Sequence, residues 1–263
     1  MTPLSPLPLL AVLPFFRPLG SFGPINSFGV LVAIGVALGY RLAAGRARVL
    51  GLDHERFESH VVWTVVTGFV LSHVLDTIFY HPEVLLTRPW ELLMIQQGLS
   101  SFGGFVGGVV GFLLYARRHR VDVWRSADAI AFGLPAAWLF GRAACASIHD
   151  HPGALSTSPL AVAWPGGSRF DLGLLELMFV PLLIVGVLLV ARRATRPGST
   201  ITALALLYPP IRFPLDFLRA SAAEGGDVRY FGLTPGQYAS VGLFAVGLWL
   251  LRRLRRSPPP DAS

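Results

Sequence analysis

Residues 172–196 read LGLLELMFVPLLIVGVLLVARRATR, and this stretch decides the class of fold. The part before the arginines is almost entirely apolar and carries a single charged side chain, Glu176. About 20 apolar residues in a helix are long enough to cross the hydrocarbon core of a bilayer. The run ends at Arg192 and Arg193, whose charges are costly to place in hydrocarbon. The stretch therefore predicts a membrane-spanning helix with a basic end.

The composition of the whole chain extends this prediction to several spans. Of 263 residues, 53% are hydrophobic and 14% are charged, and the mean hydropathy is +0.58. Soluble globular domains usually carry about 25% charged residues, so the composition indicates a polytopic membrane protein rather than a soluble enzyme. The one cysteine, Cys145, excludes an internal disulfide and a metal cluster built from cysteines alone.

Seven segments are long and apolar enough to span a membrane as helices. They cover residues 28–46, 59–80, 98–116, 126–148, 172–191, 199–219 and 235–251. The sequence therefore predicts an all-α fold, a polytopic membrane protein with seven transmembrane helices. We expect a single transmembrane domain over residues 1–256, with an amphipathic outer-surface segment at 1–27 and a disordered tail at 257–263.

The arginines between these segments predict their orientation. The connections after the first, third, fifth and seventh segments hold clusters of arginines, whereas the alternate connections hold only Arg88, Arg169 and Arg229. Short arginine-rich loops stay cytoplasmic, so we expect the N-terminus outside and the C-terminus inside. Residues 148–171 and 220–234 are then long outer loops. The net charge of +7 reflects this topology, and we expect no nucleic-acid partner.

Polar residues within the apolar segments fall at a common depth. At 1.5 Å per helical residue, Arg142 and Arg212 lie about 24 Å and about 20 Å above the cytoplasmic ends of their helices. The same outer half is predicted to hold His73, Asp76, Ser100, Ser101 and Glu176. Ionisable residues inside a membrane usually face a polar cavity and mark a functional site. The pattern indicates one outward-opening chamber, in which the guanidinium forks suit a phosphate ligand.

Structural explanations are open for several of these residues. Asp216 lies four residues after Arg212 and three before Arg219, so it is expected to pair with one of them on a helix. Glu176 can stabilise the positive N-terminus of its own helix, and Arg142 can extend towards the outer headgroups. A small transporter with an outer chamber is a further interpretation, which the lack of an internal repeat disfavours.

A glycine run, GLSSFGGFVGGVVG, opens the third segment at residues 98–111. Gly103, Gly107 and Gly111 recur every fourth residue, as do Gly104 and Gly108. Faces of small residues let the backbones of two helices approach closely, so plain helix packing explains the spacing by itself.

Motifs along the chain nevertheless resemble those of one bacterial family. They are QGLSSFGG at 97–104, GRAAC at 141–145, LLE at 174–176, YPPIR at 208–212, DFLR at 216–219 and GQ at 236–237. QGLSSFGG is similar to the family's GGMSFHGG run, and GRAAC is similar to its GRLGN signature. LLE is similar to LYE. YPPIR and DFLR are similar to YxxxR followed by EFxR. Their order and spacing resemble the prolipoprotein diacylglyceryl transferases, inner-membrane enzymes that lipidate lipoprotein precursors. The resemblance covers roughly residues 27–256.

The chain departs from the family pattern at several positions. Phe102 stands where the family has a functionally important histidine, and Cys145 stands where it has an asparagine. Phe28 replaces a tyrosine, and Leu71-Ser72-His73 replaces Gly-Gly-Arg. The family's acid in the loop after the fourth span corresponds to Asp150. The two arginines therefore persist, whereas the usual imidazole does not.

The resemblance implies transfer of a diacylglyceryl group from phosphatidylglycerol to the lipobox cysteine thiol of a lipoprotein precursor. The products are a thioether and glycerol phosphate. It also implies a multi-pass protein of the bacterial cytoplasmic (inner) membrane, whose partners are phosphatidylglycerol, the precursor's signal peptide and membrane lipids. No cofactor is expected. The alternative is a catalytically degenerate paralogue that binds phospholipid or lipoprotein without turnover.

This chemistry needs cations for the leaving phosphate, and a base or positive field for a thiol whose pKa is about 8.5. The predicted catalytic residues are Arg212, His149, Asp150, His151 and His73. The predicted substrate-binding residues are Arg142, Ser100, Ser101, Gly103, Gly104, Glu176, Asp216 and Tyr208. The base is open between residues 149–151 and His73 paired with Asp76. A hydrogen-bonded turn explains residues 149–151 equally well, and metal binding by them is a less favoured interpretation.

Overall fold

Most of the described chain is helical, with one small sheet in its second half. The structure is a computed structural model, and it describes residues 13–15, 26–80, 82–93, 100–224, 226 and 229–256. The predicted tail at 257–263, most of the predicted surface segment at 1–27, and the start of the third predicted span lie outside the described residues.

The helices follow the apolar segments of the sequence. In chain order they are α1 (Ser27–Val49), α2 (His54–Tyr80), α3 (Pro82–Thr87), α4 (Ser101–His119), α5 (Val123–Ile148), α6 (Leu172–Arg193), α7 (Ser199–Leu207), α8 (Pro209–Leu215) and α9 (Pro235–Arg256). Short 3-10 turns cover Pro89–Leu93, Asp216–Leu218 and Ala222–Glu224.

Five helical stretches of the described chain are long and apolar enough to cross a membrane. They are Ser27–Val49, His54–Ile78, Val123–Ile148, Leu172–Arg193 and Ser199–Leu218. Helices α4 and α9 cover the third and seventh predicted spans but do not belong to this set. Each of them ends in arginines, which shortens its apolar part. The structure thus supports a multi-pass membrane protein, while seven spans and their orientation stay predictions.

The outer loop predicted at 148–171 contains a three-stranded antiparallel sheet, which the all-α prediction misses. Its strands are β1 (Pro152–Leu155), β2 (Val162–Trp164) and β3 (Gly167–Asp171), in the order β1-β3-β2. Trp164 pairs with Gly167 across a tight turn, where Gly166 has a φ of 92° that other residues rarely adopt. The last residue of β3, Asp171, caps α6 by accepting a hydrogen bond from the Leu174 N–H at 3.0 Å. The sheet therefore leads directly into the helix that carries Glu176.

The chain divides into two compact units, Met1–Gly39 with Gly133–Ser263, and Tyr40–Phe132. In the second unit, glycines of α4 pack against α2. A Cβ atom on Gly107 would lie 2.5 Å from the Thr67 carbonyl oxygen, and one on Gly103 would lie 2.8 Å from that of Leu71. The glycine spacing is thus used for close helix packing, as its structural interpretation predicted.

The first unit brings α6, α7, α8 and α9 together. Glycines again allow close contact, since a Cβ atom on Gly186 would lie 2.7 Å from the side chain of Leu207. One on Gly247 would lie 2.8 Å from the side chain of Leu206. Tyr208 joins α7 to α8, and Pro209 follows it at the first position of α8, where a proline is tolerated.

Candidate functional site: a buried arginine–carboxylate cluster

Glu176 is the centre of a polar cluster in the first unit. Its Oε1 atom accepts hydrogen bonds from Trp138 Nε1 at 2.9 Å and from the Tyr208 hydroxyl at 2.8 Å. The same oxygen lies 3.2 Å from Nε of Arg142, and Oε2 lies 3.7 Å from Nε of Arg212. Arginines from α5 and α8 therefore converge on one carboxylate carried by α6.

Each arginine is paired with an aromatic residue four positions earlier. Trp138 and Arg142 share one face of α5, and the Arg142 guanidinium lies 5.0 Å from the centre of the indole ring. Tyr208 and Arg212 keep helical spacing because the Arg212 N–H donates to the Tyr208 carbonyl at 3.0 Å. The two aromatic rings meet edge to face, 5.4 Å apart. Two aromatic–arginine pairs thus face each other with Glu176 between them.

Asp216 anchors Arg212 from the other side. Its Oδ1 accepts from Nη1 of Arg212 at 2.5 Å and from Nε of Arg219 at 3.2 Å, so it pairs with both arginines that the spacing predicted. Its Oδ2 accepts from the Thr234 hydroxyl at 2.5 Å. Because Asp216 is fully buried and both of its oxygens are engaged, its contacts suit positioning of Arg212.

The first turn of α9 and the segment before it close over this pair. A Cβ atom on Gly236 would lie 2.6 Å from Oδ2 of Asp216 and 3.2 Å from Nη2 of Arg212. Nη2 of Arg229 donates to the carbonyl oxygens of Asp216 and Arg219, at 3.2 and 3.5 Å. The absence of a side chain at position 236 is therefore a condition for the geometry of the pair.

The charges of the cluster favour an anionic ligand. Three guanidinium groups, those of Arg142, Arg212 and Arg219, face two carboxylates. The side chains of Arg142 and Arg212 are each 13% exposed, whereas those of Glu176 and Asp216 are 3% and 0% exposed. The carboxylates therefore lie behind the cations. A guanidinium presents several donors in a planar fork, which is the geometry that suits a phosphate.

The turn after α5 separates the two predicted histidines. His149 ends the helix in the left-handed conformation, with a φ of 54°. Its Nδ1 hydrogen bonds to the buried carboxylate of Asp171, and its ring stacks on Phe15 with the centroids 4.4 Å apart. Because Asp171 also caps α6, His149 ties the end of α5 to the start of α6.

His151 instead pairs with its neighbour Asp150 through Nδ1, at the exposed side of the turn. One imidazole nitrogen of His151, one carboxylate oxygen of Asp150 and the Sγ atom of Cys145 all lie within 4.8 Å of one another. The same sulfur is 4.0 Å from Nη1 of Arg142. The part of the predicted run that neighbours the arginine cluster is therefore Asp150 and His151.

The other predicted site residues belong to the second unit. His73 is buried on α2, and its Nε2 bonds to the Glu91 carbonyl at 3.0 Å. The Ser100 side chain caps α4 by accepting from the Gly103 N–H at 3.3 Å. Ser101 begins α4, and Gly103 and Gly104 face α2. These contacts are structural, and the prediction that the residues share a chamber with Arg142 stays a prediction.

Sequence reasoning missed Trp138, Asp171 and the neighbours of Cys145. Trp138 had a usable signal, because it lies four residues before Arg142 in the same helix. Asp171 had a partial one, since an aspartate before an apolar run is a common helix cap. Its bond to His149 spans 22 positions and had no local signal.

Comparison with known proteins gives consistent matches. The profile of the family described as prolipoprotein diacylglyceryl transferase matches residues 17–253, which include the whole arginine–carboxylate cluster. The chain is 31% identical over 231 residues to the phosphatidylglycerol–prolipoprotein diacylglyceryl transferase of Ruegeria pomeroyi, covering 77% of this chain and 78% of the relative. It is 29% identical over 229 residues to the protein of that name from Phenylobacterium zucineum, covering 78% of each. The Brucella anthropi protein of the same name is 30% identical over 222 residues, covering 79% of this chain and 77% of the relative.

Proposed function

Because this chain belongs to the prolipoprotein diacylglyceryl transferase family, we propose that it transfers a diacylglyceryl group from phosphatidylglycerol to the cysteine thiol of a lipoprotein precursor. In this reaction the precursor's sulfur forms a bond to a glycerol carbon of the lipid. The bond between that carbon and the phosphate oxygen breaks, and the electron pair leaves with glycerol phosphate. The product is a thioether.

The observation that carries the proposal is the convergence of Arg142 and Arg212 on Glu176. A leaving phosphate gains negative charge as its bond breaks, and fixed cations in a site of low dielectric stabilise that charge. Both guanidinium groups are held in place by carboxylates behind them, so little reorganisation is needed when the charge develops. We assign Arg142 and Arg212 to the phosphate of phosphatidylglycerol.

Glu176 and Asp216 then position the cations. Glu176 also receives the Trp138 and Tyr208 hydrogen bonds, which fix its carboxylate. Tyr208 is assigned to the same lipid site, beside the two arginines. Asp216 acts through the arginines it holds, Arg212 and Arg219, because both of its oxygens are engaged by protein donors.

Activation of the precursor's thiol is assigned to the turn after α5. Asp150 and His151 lie on its exposed side, and the neighbouring Cys145 sulfur is 4.0 Å from Arg142. His149 supports this turn through Asp171.

The membrane topology belongs to the same proposal. Five apolar helical stretches support several spans, and the arginine clusters of the sequence support seven, with the N-terminus outside. In that orientation the arginine cluster lies near the outer leaflet of the bacterial cytoplasmic membrane. The precursor's signal peptide approaches from the membrane.

Transfer by the purified protein tests the assignment, with phosphatidylglycerol in mixed micelles and a lipobox peptide as substrates. We expect R142Q and R212Q each to lower the rate by roughly 100-fold, the size of effect seen when one oxyanion donor is removed. R192Q is the matched control, because Arg192 is exposed at the end of α6. Rates of R142Q and R212Q within twofold of the wild type contradict the assignment.

Lipid binding separates the proposal from the alternative of a degenerate paralogue. If the wild-type protein binds phosphatidylglycerol through Arg142 and Arg212 but transfers no lipid, the chain is a binding protein. The Phe102 position gives a specific check on that outcome, because F102H restores the imidazole of the family pattern.

A further inference from the structure

Three different metal-binding side chains meet at the end of α5. The ligand atoms of Cys145, Asp150 and His151 all lie within 4.8 Å of one another, although Cys145 is separated from the other two by a full helical turn. Thiolate sulfur, carboxylate oxygen and imidazole nitrogen are the ligands that zinc takes in proteins. Magnesium and calcium prefer oxygen ligands alone, so this set favours zinc.

The backbone around these side chains is anchored on both sides. His149 turns the chain in the left-handed conformation and is bound to Asp171. The carbonyl oxygen of His151 accepts from the Leu172 N–H at 3.0 Å. Cys145 packs tightly against α6, since a Cβ atom added to Gly173 would lie 3.0 Å from the Cβ atom of Cys145. The end of α5 and the turn after it thus bring the three ligands close together within residues 145–151.

We propose that Cys145, Asp150 and His151 bind one zinc ion, and that the sulfur of the precursor's cysteine occupies its fourth position. The first half of this inference concerns metal binding alone, and the second half rests on the proposed function. Three protein ligands with an open position are the arrangement of catalytic zinc, whereas structural zinc usually has four protein ligands. Zinc–ligand bonds of about 2.0–2.3 Å place tetrahedral ligands roughly 3.5 Å apart. Closing the site from its present spacing therefore needs side-chain shifts on the order of 1 Å.

The exposure of the three ligands shows which side of the site opens to solvent. Cys145 is 9% exposed and forms the back, while Asp150 is exposed and His151 is half-buried at the front. A ligand that completes the coordination therefore enters from the exposed side. Its sulfur then lies next to Arg142, whose Nη1 is 4.0 Å from the Cys145 sulfur.

The chemistry of the step is balanced without an oxidant or reductant. The precursor's thiol loses its proton to the outer aqueous phase when its sulfur binds zinc, because a coordinating thiol is deprotonated outright. The sulfur forms the new bond to the glycerol carbon, and the carbon–oxygen bond to phosphate breaks with its electron pair going to glycerol phosphate. The resulting thioether is a weaker zinc ligand than a thiolate, so the product leaves the metal.

Cobalt substitution tests metal binding without any turnover. The full-length protein in detergent is stripped with a chelator and titrated with Co²⁺, and thiolate coordination is read from the sulfur-to-cobalt charge-transfer band. We expect one Co²⁺ per chain, displaced by Zn²⁺. C145S should abolish the band, and D150N and H151Q should weaken binding by at least roughly tenfold, as loss of a supporting partner of a ligand already does. H54Q is the control, because His54 is an exposed histidine at the start of α2.

A lipobox peptide tests the fourth position. The band should intensify with a cysteine-containing peptide and stay unchanged with the same peptide carrying serine. Absence of a thiolate band overturns the zinc site, and a band that ignores the cysteine peptide overturns its role in binding the thiol. R142Q leaves the cobalt band intact, so failure of the proposed phosphate role is distinguishable from failure of the metal site. A chelator-treated wild-type protein that transfers lipid at the full rate also overturns the role of zinc in the reaction.

Discussion

Nε of Arg142 lies 3.2 Å from Oε1 of Glu176, although α5 and α6 carry the two residues 34 positions apart. The other oxygen of the same carboxylate faces Arg212 at 3.7 Å. Two buried cations repel each other strongly where the dielectric is low. A carboxylate between them offsets this repulsion. The distance between Arg142 and Glu176 is therefore what allows two arginines to lie close together in this buried cluster.

Replacement of Glu176 by glutamine removes the charge and keeps an oxygen for the Trp138 and Tyr208 hydrogen bonds. We expect E176Q to destabilise the protein by about 3–5 kcal/mol, since breaking a buried ion pair leaves an uncompensated charge. Transfer activity should fall with it, because the two arginines lose their common partner. Thermal unfolding in detergent and the transfer assay measure the two effects. E224Q is the control at an exposed glutamate, expected to change stability by less than about 0.5 kcal/mol.

Asp216 provides a second test of buried charge. D216N preserves the shape of the side chain and an acceptor for Arg212 and Arg219, so its effect isolates the lost charge. We expect a stability loss of about 3 kcal/mol or more, together with lower turnover through Arg212. D122N removes an exposed pair with Arg125 and should cost at most about 1 kcal/mol. Equal stabilities of the two variants would show that the Asp216 network does not hold Arg212.

The contact at Gly236 predicts a large effect from one methyl group. G236A would place a Cβ atom 2.6 Å from Oδ2 of Asp216 and displace the Asp216–Arg212 pair. We expect at least a tenfold loss of transfer activity, with a smaller change in unfolding temperature. G242A lies in the same helix with nothing within 4 Å of the added atom. It should be neutral or stabilise the protein by about 0.5–1 kcal/mol, as alanine does in a helix. Full activity in G236A would refute the close contact.

Two neighbouring glycines of α4, Gly107 and Gly108, test whether α4 packs closely against α2 through one of its faces. G107A would bring a Cβ atom to 2.5 Å from the Thr67 carbonyl oxygen, so α2 and α4 must separate. We expect a loss of about 1–3 kcal/mol in stability, the usual cost of overpacking. G108A meets only ordinary contacts at 3.9 Å and beyond, and should unfold at the wild-type temperature or above. The order of the two unfolding temperatures is the test, and the reverse order would mean that α4 faces α2 differently.

Much of the fold could be predicted from the sequence because its main signals are local. Whether a segment enters a membrane depends on its own apolar residues, so the helices of the structure follow the predicted spans. The pairing of Asp216 with Arg212 and Arg219 depends on helical spacing alone, and the structure contains both pairs. The sheet at residues 152–171 escaped prediction because its strands are short and its loop composition resembled an irregular connection.

For the candidate site, the sequence predicted individual residues but not the contacts between them. The sequence alone determined that Arg142, Glu176 and Arg212 are ionisable groups in apolar helices, where such groups are rarely without function. Only the tertiary structure decided that Glu176 joins both arginines, that His149 is bound to Asp171, and that Cys145 meets Asp150 and His151. Those contacts depend on which helix faces pack together and on how the chain turns between them. Spacing along the chain determines neighbours within one helix, whereas neighbours from different elements are determined by the packing of the whole unit.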